Sequence, residues 1–274
     1  MSSDCKKEKI RFCVYYSILG WHHPAQDLNR RGKDPYGNNL IKAGRKQEYV
    51  DHMKVQLKEL VSQCDPGVLW FDGGWTEWWK PEDGKRLMDF LWTMKPDLII
   101  NNRAAGTEKM EKVMGDFLTP EQFIPEEHAG KDWESCMTMN DTWGYKKNDR
   151  NWKPAKLLLF NLIDIASKGG NFLLNVGPTA EGVIPEPSVQ RLKEIGAWLN
   201  VNGEALYGTR AWIVPKEGPQ SVTMLGVSRA LDWRITDKGL TVQPPREKPC
   251  NHAFVFKIII RNQRKAVGAS AGSI

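Results

Sequence analysis

Val68-Leu69-Trp70-Phe71-Asp72-Gly73-Gly74-Trp75 (VLWFDGGW) is the stretch on which the reading of this chain turns. Four apolar residues end abruptly at a carboxylate and a Gly-Gly pair, the pattern of a short buried strand stopped by a turn. Upstream, Val50, Met53, Leu57, Leu60 and Val61 recur at helical spacing and predict a helix over 47–63, broken by Asp65-Pro66-Gly67. Downstream, residues 82–94 read as a second helix, Pro96 stops it, and Asp97-Leu98-Ile99-Ile100-Asn101 reads as the next strand. Strand and helix alternating in this way predict parallel strands joined by crossover helices.

The same alternation extends in both directions. Ile10–Tyr16 is a β-branched and aromatic run, Ser135–Met139 a weak strand, and Asn171–Val176 a strong one. Helices are predicted over 156–168, with Leu159, Leu162, Ile163 and Ala166 inward, and over 188–200, with Val189, Leu192, Ile195 and Leu199 inward. Between the strand near residue 97 and the one near 135 the chain reads as a long irregular stretch. About five parallel strands result, where a closed (β/α) barrel has eight. The fold expected is therefore α/β, an incomplete (β/α) barrel over 1–210. After Gly208, period-2 runs at Val222–Val227, Gly239–Val242 and Ala253–Ile260 predict a small antiparallel β region over 211–262, with a disordered tail over 263–274.

Composition narrows the function classes. The chain has 274 residues, net charge +6, 26% charged and 41% hydrophobic residues, values of a soluble globular protein rather than a disordered one. No run approaches the roughly 18 apolar residues of a membrane span, and residues 1–10 lack the apolar core of a signal peptide. Cys5, Cys13, Cys64, Cys136 and Cys250 are scattered without a CxxC pair, which argues against a zinc knuckle or disulfide scaffold and for buried free thiols. The basic residues are dispersed, and no nucleic-acid module, phosphate loop or GxGxxG motif occurs, so neither a nucleic-acid partner nor a cofactor is expected. The outlier is tryptophan, 12 residues against 6 Tyr and 9 Phe. Indoles serve cores, and they also stack on the apolar C–H faces of sugar rings.

In a (β/α) barrel the chemistry sits at the C-terminal ends of the strands. The residues there are Tyr15, Tyr16 and Trp21-His22-His23, then Asp72, then Asn101-Asn102-Arg103, the stretch 137–145 and Asn175. A carboxylate ending a buried strand, as Asp72 does, is costly unless paired or used; an Asx turn closing the strand is the plainer alternative. Trp70 and Trp75 beside it favour a sugar site. Glycoside hydrolysis generally needs two carboxyls across the scissile bond, and either Glu121 or Glu134 can serve as the second. Each is equally readable as a solvated loop residue. His22-His23 lacks a third ligand at a recognisable spacing, so no metal site is expected, and the pair is read instead as hydrogen-bonding to a polyol or capping the loop. Arg103 is either a fixed donor to substrate hydroxyls or half of a structural ion pair.

Taken together, VYYSILGWHHP (14–24), VLWFDGGW (68–75), IINNRAAG (99–106), GDFLTPEQFIP (115–125), WESCMTMNDTWGY (133–145), ASKGGNFLLNVGPTAEGVIP (166–185) and WLNVNGEALYGTRAW (198–212) closely resemble the retaining α-L-fucosidases. The resemblance covers most of residues 10–212. It implies hydrolysis of terminal α-linked L-fucose by double displacement on a (β/α) barrel followed by a β-sandwich, with fucosylated glycans or glycoconjugates as partners. It implies Asp72 as nucleophile, Glu121 as acid/base with Glu134 as the rival, and Tyr15, Trp21, His22, Trp70, Arg103 and Trp143 as sugar contacts. The family is mostly secreted, periplasmic or lysosomal; no compartment is read from this chain. There are departures. The family's His-His-Asp-Gly-Phe motif and the strands carrying it are missing, the sandwich is shortened between the segments at 212–219 and 221–226, and Gly20 stands where Asp is usual. These departures predict a chain truncated at its N-terminus, with weak or no turnover in isolation and sheet edges open to self-association. They also raise a second reading, a non-catalytic remnant that binds fucose or serves as an interaction fragment.

Overall fold

Period-2 alternation on β4 (Val68–Asp72) organises the first half of the molecule. Leu69 and Phe71 are fully buried, whereas Val68, Trp70 and Asp72 on the opposite face are only partly so. In the computed structural model, which describes residues 1–27, 40–105, 114–126, 130–207, 219–236 and 239–260, the chain divides into two units. These are Met1–Glu121 with His128–Ser135, and Gln122–Glu127 with Cys136–Ile274. The boundary expected at 210/211 and the tail at 263–274 both lie outside the described residues.

In the first unit a short helix, α1 (Ser2–Lys7), precedes β1 (Val14–Ser17), and the two-residue strands β2 (Gln26–Asp27) and β3 (Leu40–Ile41) pair antiparallel. β1 pairs in parallel with β4, Ser17 opposite Asp72, and β4 pairs in parallel with β5 (Ile99–Ile100). The sheet continues where the sequence reads as irregular. Phe117 bridges Asn101 and Leu118 bridges Trp133, both in parallel sense. This sixth extended segment is only two residues long, too short to show a period, and its register comes from its neighbours. Asp116 helps to set it: its carboxylate accepts the Ile100 N–H at 2.7 Å.

The helices between these strands start and stop where the residue types dictate. α2 (Lys46–Cys64) ends at Asp65, which is left-handed (φ 45°, ψ 57°) and followed by Pro66. α3 (Pro81–Met94) has Pro at its first position, and the Asp83 carboxylate accepts the Lys80 N–H at 2.8 Å, closing the first turn. Asp83 also receives Lys46 of α2, which ties the two helices together. Met53 and Leu57 of α2, Leu87, Met88 and Leu91 of α3, and Leu69, Phe71 and Ile100 of the sheet share one core. Each large apolar side chain so buried contributes roughly 1.5–3 kcal/mol relative to exposure.

β6 (Glu134–Thr138) starts in the first unit with Glu134 and Ser135 and passes into the second at Cys136; it neighbours β7 (Asn171–Asn175), with α4 (Ala155–Ser167) between them in sequence and α5 (Glu186–Asn202) following. Two expectations are met only in part here. On α4 Leu159 is buried and Leu162 and Ile163 pack against the same core, but Ala155, Leu158 and Ile165 are buried as well, and Phe160 is 65% exposed. The helix is apolar nearly all round, so periodicity could not choose its face. On α5 Ile195 is buried and Leu199 packs against the core as expected, but Ser188, Trp198 and Asn202 are buried too and Leu192 is exposed. There the Trp198 indole sets the rotation, because its Nε1 donates to the Ala253 carbonyl at 2.8 Å. Further along, β8 (Pro219–Met224) pairs antiparallel with β11 (Phe256–Ile260), and β9 (Trp233–Thr236) with β10 (Gly239–Val242). All five cysteines are free, but only Cys136 is buried, and Cys13 is exposed. Scattered thiols carry no periodic signal from which depth can be read.

Candidate active site

The β4 alternation sends Trp70 and Asp72 to the face away from the α2–α3 core, and the turn after Asp72 needs Gly73. That residue has φ 83°, and a Cβ there would sit 2.7 Å from the Leu19 side chain. The strand end is held by Asn101, which is fully buried. Its Oδ1 accepts the Phe71 N–H at 2.7 Å and its Nδ2 donates to the Phe71 carbonyl at 2.8 Å, replacing ladder bonds that β5 is too short to make.

Asp72 receives two donors. The Tyr15 hydroxyl donates to Oδ2 at 2.9 Å, and Arg103 Nη1 donates to Oδ1 at 3.0 Å. Arg103 stands on the short 3-10 turn after β5, Asn102–Ala105. Its Nε donates to Thr119 Oγ1 at 2.9 Å, and its Nη2 donates to the Thr119 carbonyl at 3.1 Å and to Glu121 Oε2 at 2.7 Å. One planar guanidinium therefore joins Asp72 to Glu121, with Thr119 between them. Burial opposes the Arg103 charge, but its hydrogen bonds to Glu121 and Asp72 outweigh this and raise its pKa further. The guanidinium also lies over the Trp70 ring, 4.8 Å from its centroid, and Tyr15 stacks on that ring at 5.8 Å. Burial and the Asp72 carboxylate push the Tyr15 phenol up, so it remains a neutral donor.

Glu134 is tied to the same face, because Trp70 Nε1 donates to Glu134 Oε1 at 3.0 Å. Burial raises the Glu134 pKa, and the Trp70 hydrogen bond only partly opposes this. The unfolded chain ionises such a carboxyl near its ordinary value of about 4.3, while the folded chain keeps the proton longer. The folded state thus binds more protons above that value, and stability falls as pH rises through the folded pKa. A Glu134→Gln variant, which keeps an acceptor for Trp70, should match the parent Tm near pH 4 and exceed it at pH 7–8. A Tm difference that does not change with pH would contradict this.

Of the sugar contacts expected from the sequence, Tyr15, Trp70 and Arg103 meet Asp72 or one another. Trp21 and His22 instead line a cavity of about 590 Å³ with Tyr16, His23, Tyr49 and His52, beginning at Ser17 opposite Asp72. Gly20 belongs to this wall. A Cβ there would lie 2.3 Å from the Tyr49 hydroxyl, which donates to the Ile18 carbonyl at 2.8 Å. Glycine at this position is thus matched to the buried tyrosine. Trp143 lies in the second unit, where its carbonyl accepts Asn175 Nδ2 at 2.6 Å. Sequence reasoning missed Thr119 as a site support; Asn101 stands among the strand-end residues it named, marked by its polarity at the end of an apolar run. No group of three His, Cys, Asp or Glu side chains able to hold a metal ion occurs among the described residues. No helix among them is long and apolar enough to cross a membrane.

An arginine joining two carboxylates at a strand end, beside stacked Tyr and Trp rings, is an arrangement suited to a glycosidase. Residues 1–204 match the family model of α-L-fucosidases, and the chain belongs to that family. It is 32% identical to an α-L-fucosidase of Dictyostelium discoideum over 224 residues, 78% of this chain and 46% of that protein. It is 29% identical to the tissue α-L-fucosidase of Bos taurus over 309 aligned residues, 94% of this chain and 63% of that protein. The chain thus spans about half to just under two thirds of these relatives' length. Among solved structures, α-L-fucosidase isoenzyme 1 from Paenibacillus thiaminolyticus superposes with a TM-score of 0.78 at 28% identity, covering 95% of this chain and 74% of that one. A Thermotoga maritima α-fucosidase in complex with a mechanism-based inhibitor gives 0.71 at 26% identity, covering 89% and 63%.

Proposed function

We propose that this chain carries the catalytic centre of a retaining α-L-fucosidase acting on fucosylated glycans or glycoconjugates. The parallel strands through β7 are read as consecutive members of a (β/α) barrel within a catalytic domain over 1–210, with a β region over 211–262. The observation that carries the reading is the shared guanidinium of Arg103 between Asp72 and Glu121. In the first step an Asp72 oxygen attacks the anomeric carbon of fucose as the glycosidic C–O bond breaks, and Glu121 delivers its proton to the departing oxygen. Tyr15 and Arg103 hold the Asp72 carboxylate in position for attack. In the second step Glu121 takes a proton from water, the water oxygen bonds to the anomeric carbon, and the ester to Asp72 breaks. Two inversions leave the α configuration unchanged.

Glu134 is a second reading for the acid/base role, favoured by one observation. Its burial-raised pKa suits a carboxyl that must hold a proton before donating it.

The test is covalent capture. A 2-deoxy-2-fluoro fucosyl fluoride should add one fluorofucosyl group to the purified chain, and peptide mapping should place it on Asp72. Labelling elsewhere, or labelling that persists in Asp72→Ala, would remove Asp72 as nucleophile.

A further inference from the structure

A second cavity, about 380 Å³, lies wholly within the second unit, among the loop after β6, the end of β7 and the first turn of α5. Its size falls in the roughly 300–1,000 Å³ range of small-molecule sites. Tyr145, Lys146, Lys147, Arg150, Trp152 and Asn175 line it, together with Asp149.

The loop's carboxylates are held by neutral donors within the loop, and Lys153 is held inward, whereas its other cations point outward. Asp149 Oδ2 accepts the Thr142 hydroxyl at 2.7 Å and the Asp141 N–H at 3.0 Å, and Oδ1 accepts the Asn151 N–H at 3.3 Å. Asp141 Oδ1 accepts Asn151 Nδ2 at 2.9 Å. Lys153 turns inward, donating to the Thr138 carbonyl at 2.6 Å. Asn175 anchors the loop through the Trp143 carbonyl. Trp152 is fixed as a wall: Arg191 covers one face at 5.7 Å and is itself held by the Lys153 carbonyl at 2.6 Å and the Pro187 carbonyl at 2.9 Å. Against this closed network, no carboxylate pairs with Lys146, Lys147 or Arg150 among the described residues. Three cations with no carboxylate partner among the described residues, around a cavity with a half-exposed tyrosine and an amide, present what an anionic sugar requires: charge for a sulfate or carboxylate, a ring for C–H faces, and polar groups for hydroxyls.

We propose that this cavity binds a carbohydrate bearing a sulfate or carboxylate group. A nucleotide fits less well, because its base seeks an open aromatic face and Arg191 already occupies one face of Trp152.

Calorimetry with fucose-free probes tests this independently of hydrolysis, so its failure and that of the fucosidase reading are separable. The probes are a sulfated glycosaminoglycan disaccharide, the same disaccharide desulfated but keeping its uronate, and lactose. Binding of either acidic probe but not of lactose is expected, and their ratio tells sulfate from carboxylate. Affinity should weaken with salt over about 20–300 mM, as exposed cations require. It should fall about tenfold or more in Lys146→Gln/Lys147→Gln/Arg150→Gln, whose side chains are exposed, so that Tm should not change. Tyr145→Ala should weaken binding without altering its salt dependence. Arg103→Gln should leave binding unchanged. Equal binding of lactose, no binding of either acid, full affinity in the triple variant, loss in Arg103→Gln, or tighter binding of AMP would each overturn the proposal.

Discussion

An Asp72→Ala variant should lose turnover of an aryl α-L-fucoside by about 10³-fold or more, equivalent to roughly 4 kcal/mol of transition-state stabilisation. The loss should reach both steps, since without the carboxylate no ester forms. The variant should keep its fold: Asp72 ends β4 on the face away from the α2–α3 core, and Asn101 holds the Phe71 backbone without it. Added azide gives the sharper readout. It would attack from the face that Asp72 has vacated, with a single inversion, so the fucosyl azide formed should have the β configuration. Residual turnover close to the parent, or an α azide, would show that another group is the nucleophile.

Replacing Glu121 with alanine should slow hydrolysis of poor leaving groups by about 10²–10⁴-fold, the usual worth of a positioned acid/base. A dinitrophenyl fucoside needs no proton to depart, so its first step should survive and the covalent intermediate should accumulate. Azide should then relieve the second step. Two inversions make its product the α azide, the opposite of the Asp72→Ala outcome. Glu134→Ala in parallel decides between the two carboxyls. If that variant yields the α azide while Glu121→Ala keeps its turnover, the acid/base is Glu134, and the Arg103–Glu121 contact serves only to place the guanidinium. Glu121→Ala also removes a partner of Arg103, and Glu134→Ala a partner of Trp70, so the azide product rather than the rate loss identifies the proton donor.

The sequence by itself determined the strand–helix alternation and the bounds of every major helix to within two residues. It could do so because those signals are local: Pro66 and Pro96 act on their own backbone, and helical spacing is visible within a few turns. Asp72 was legible for the same reason, as a carboxylate ending a buried run. What only the tertiary structure decided depends on partners distant in the chain. Phe117 and Leu118 form no strand of their own; the Asn101 and Trp133 backbones on either side make them one, and that pairing leads the chain to Glu121 beside Arg103. On α4, apolar nearly all round, periodicity found Leu159, Leu162 and Ile163 but not Ala155, Leu158 or Ile165; on α5 it found Ile195 and Leu199, while the burial of Trp198 goes with its bond to the Ala253 carbonyl. Glu134 looked like any solvated glutamate. Its raised pKa comes from burial, and its link to the site from an indole 64 residues earlier in the chain. Burial and long-range hydrogen bonds are properties of the packed chain, and no local stretch of residues encodes them.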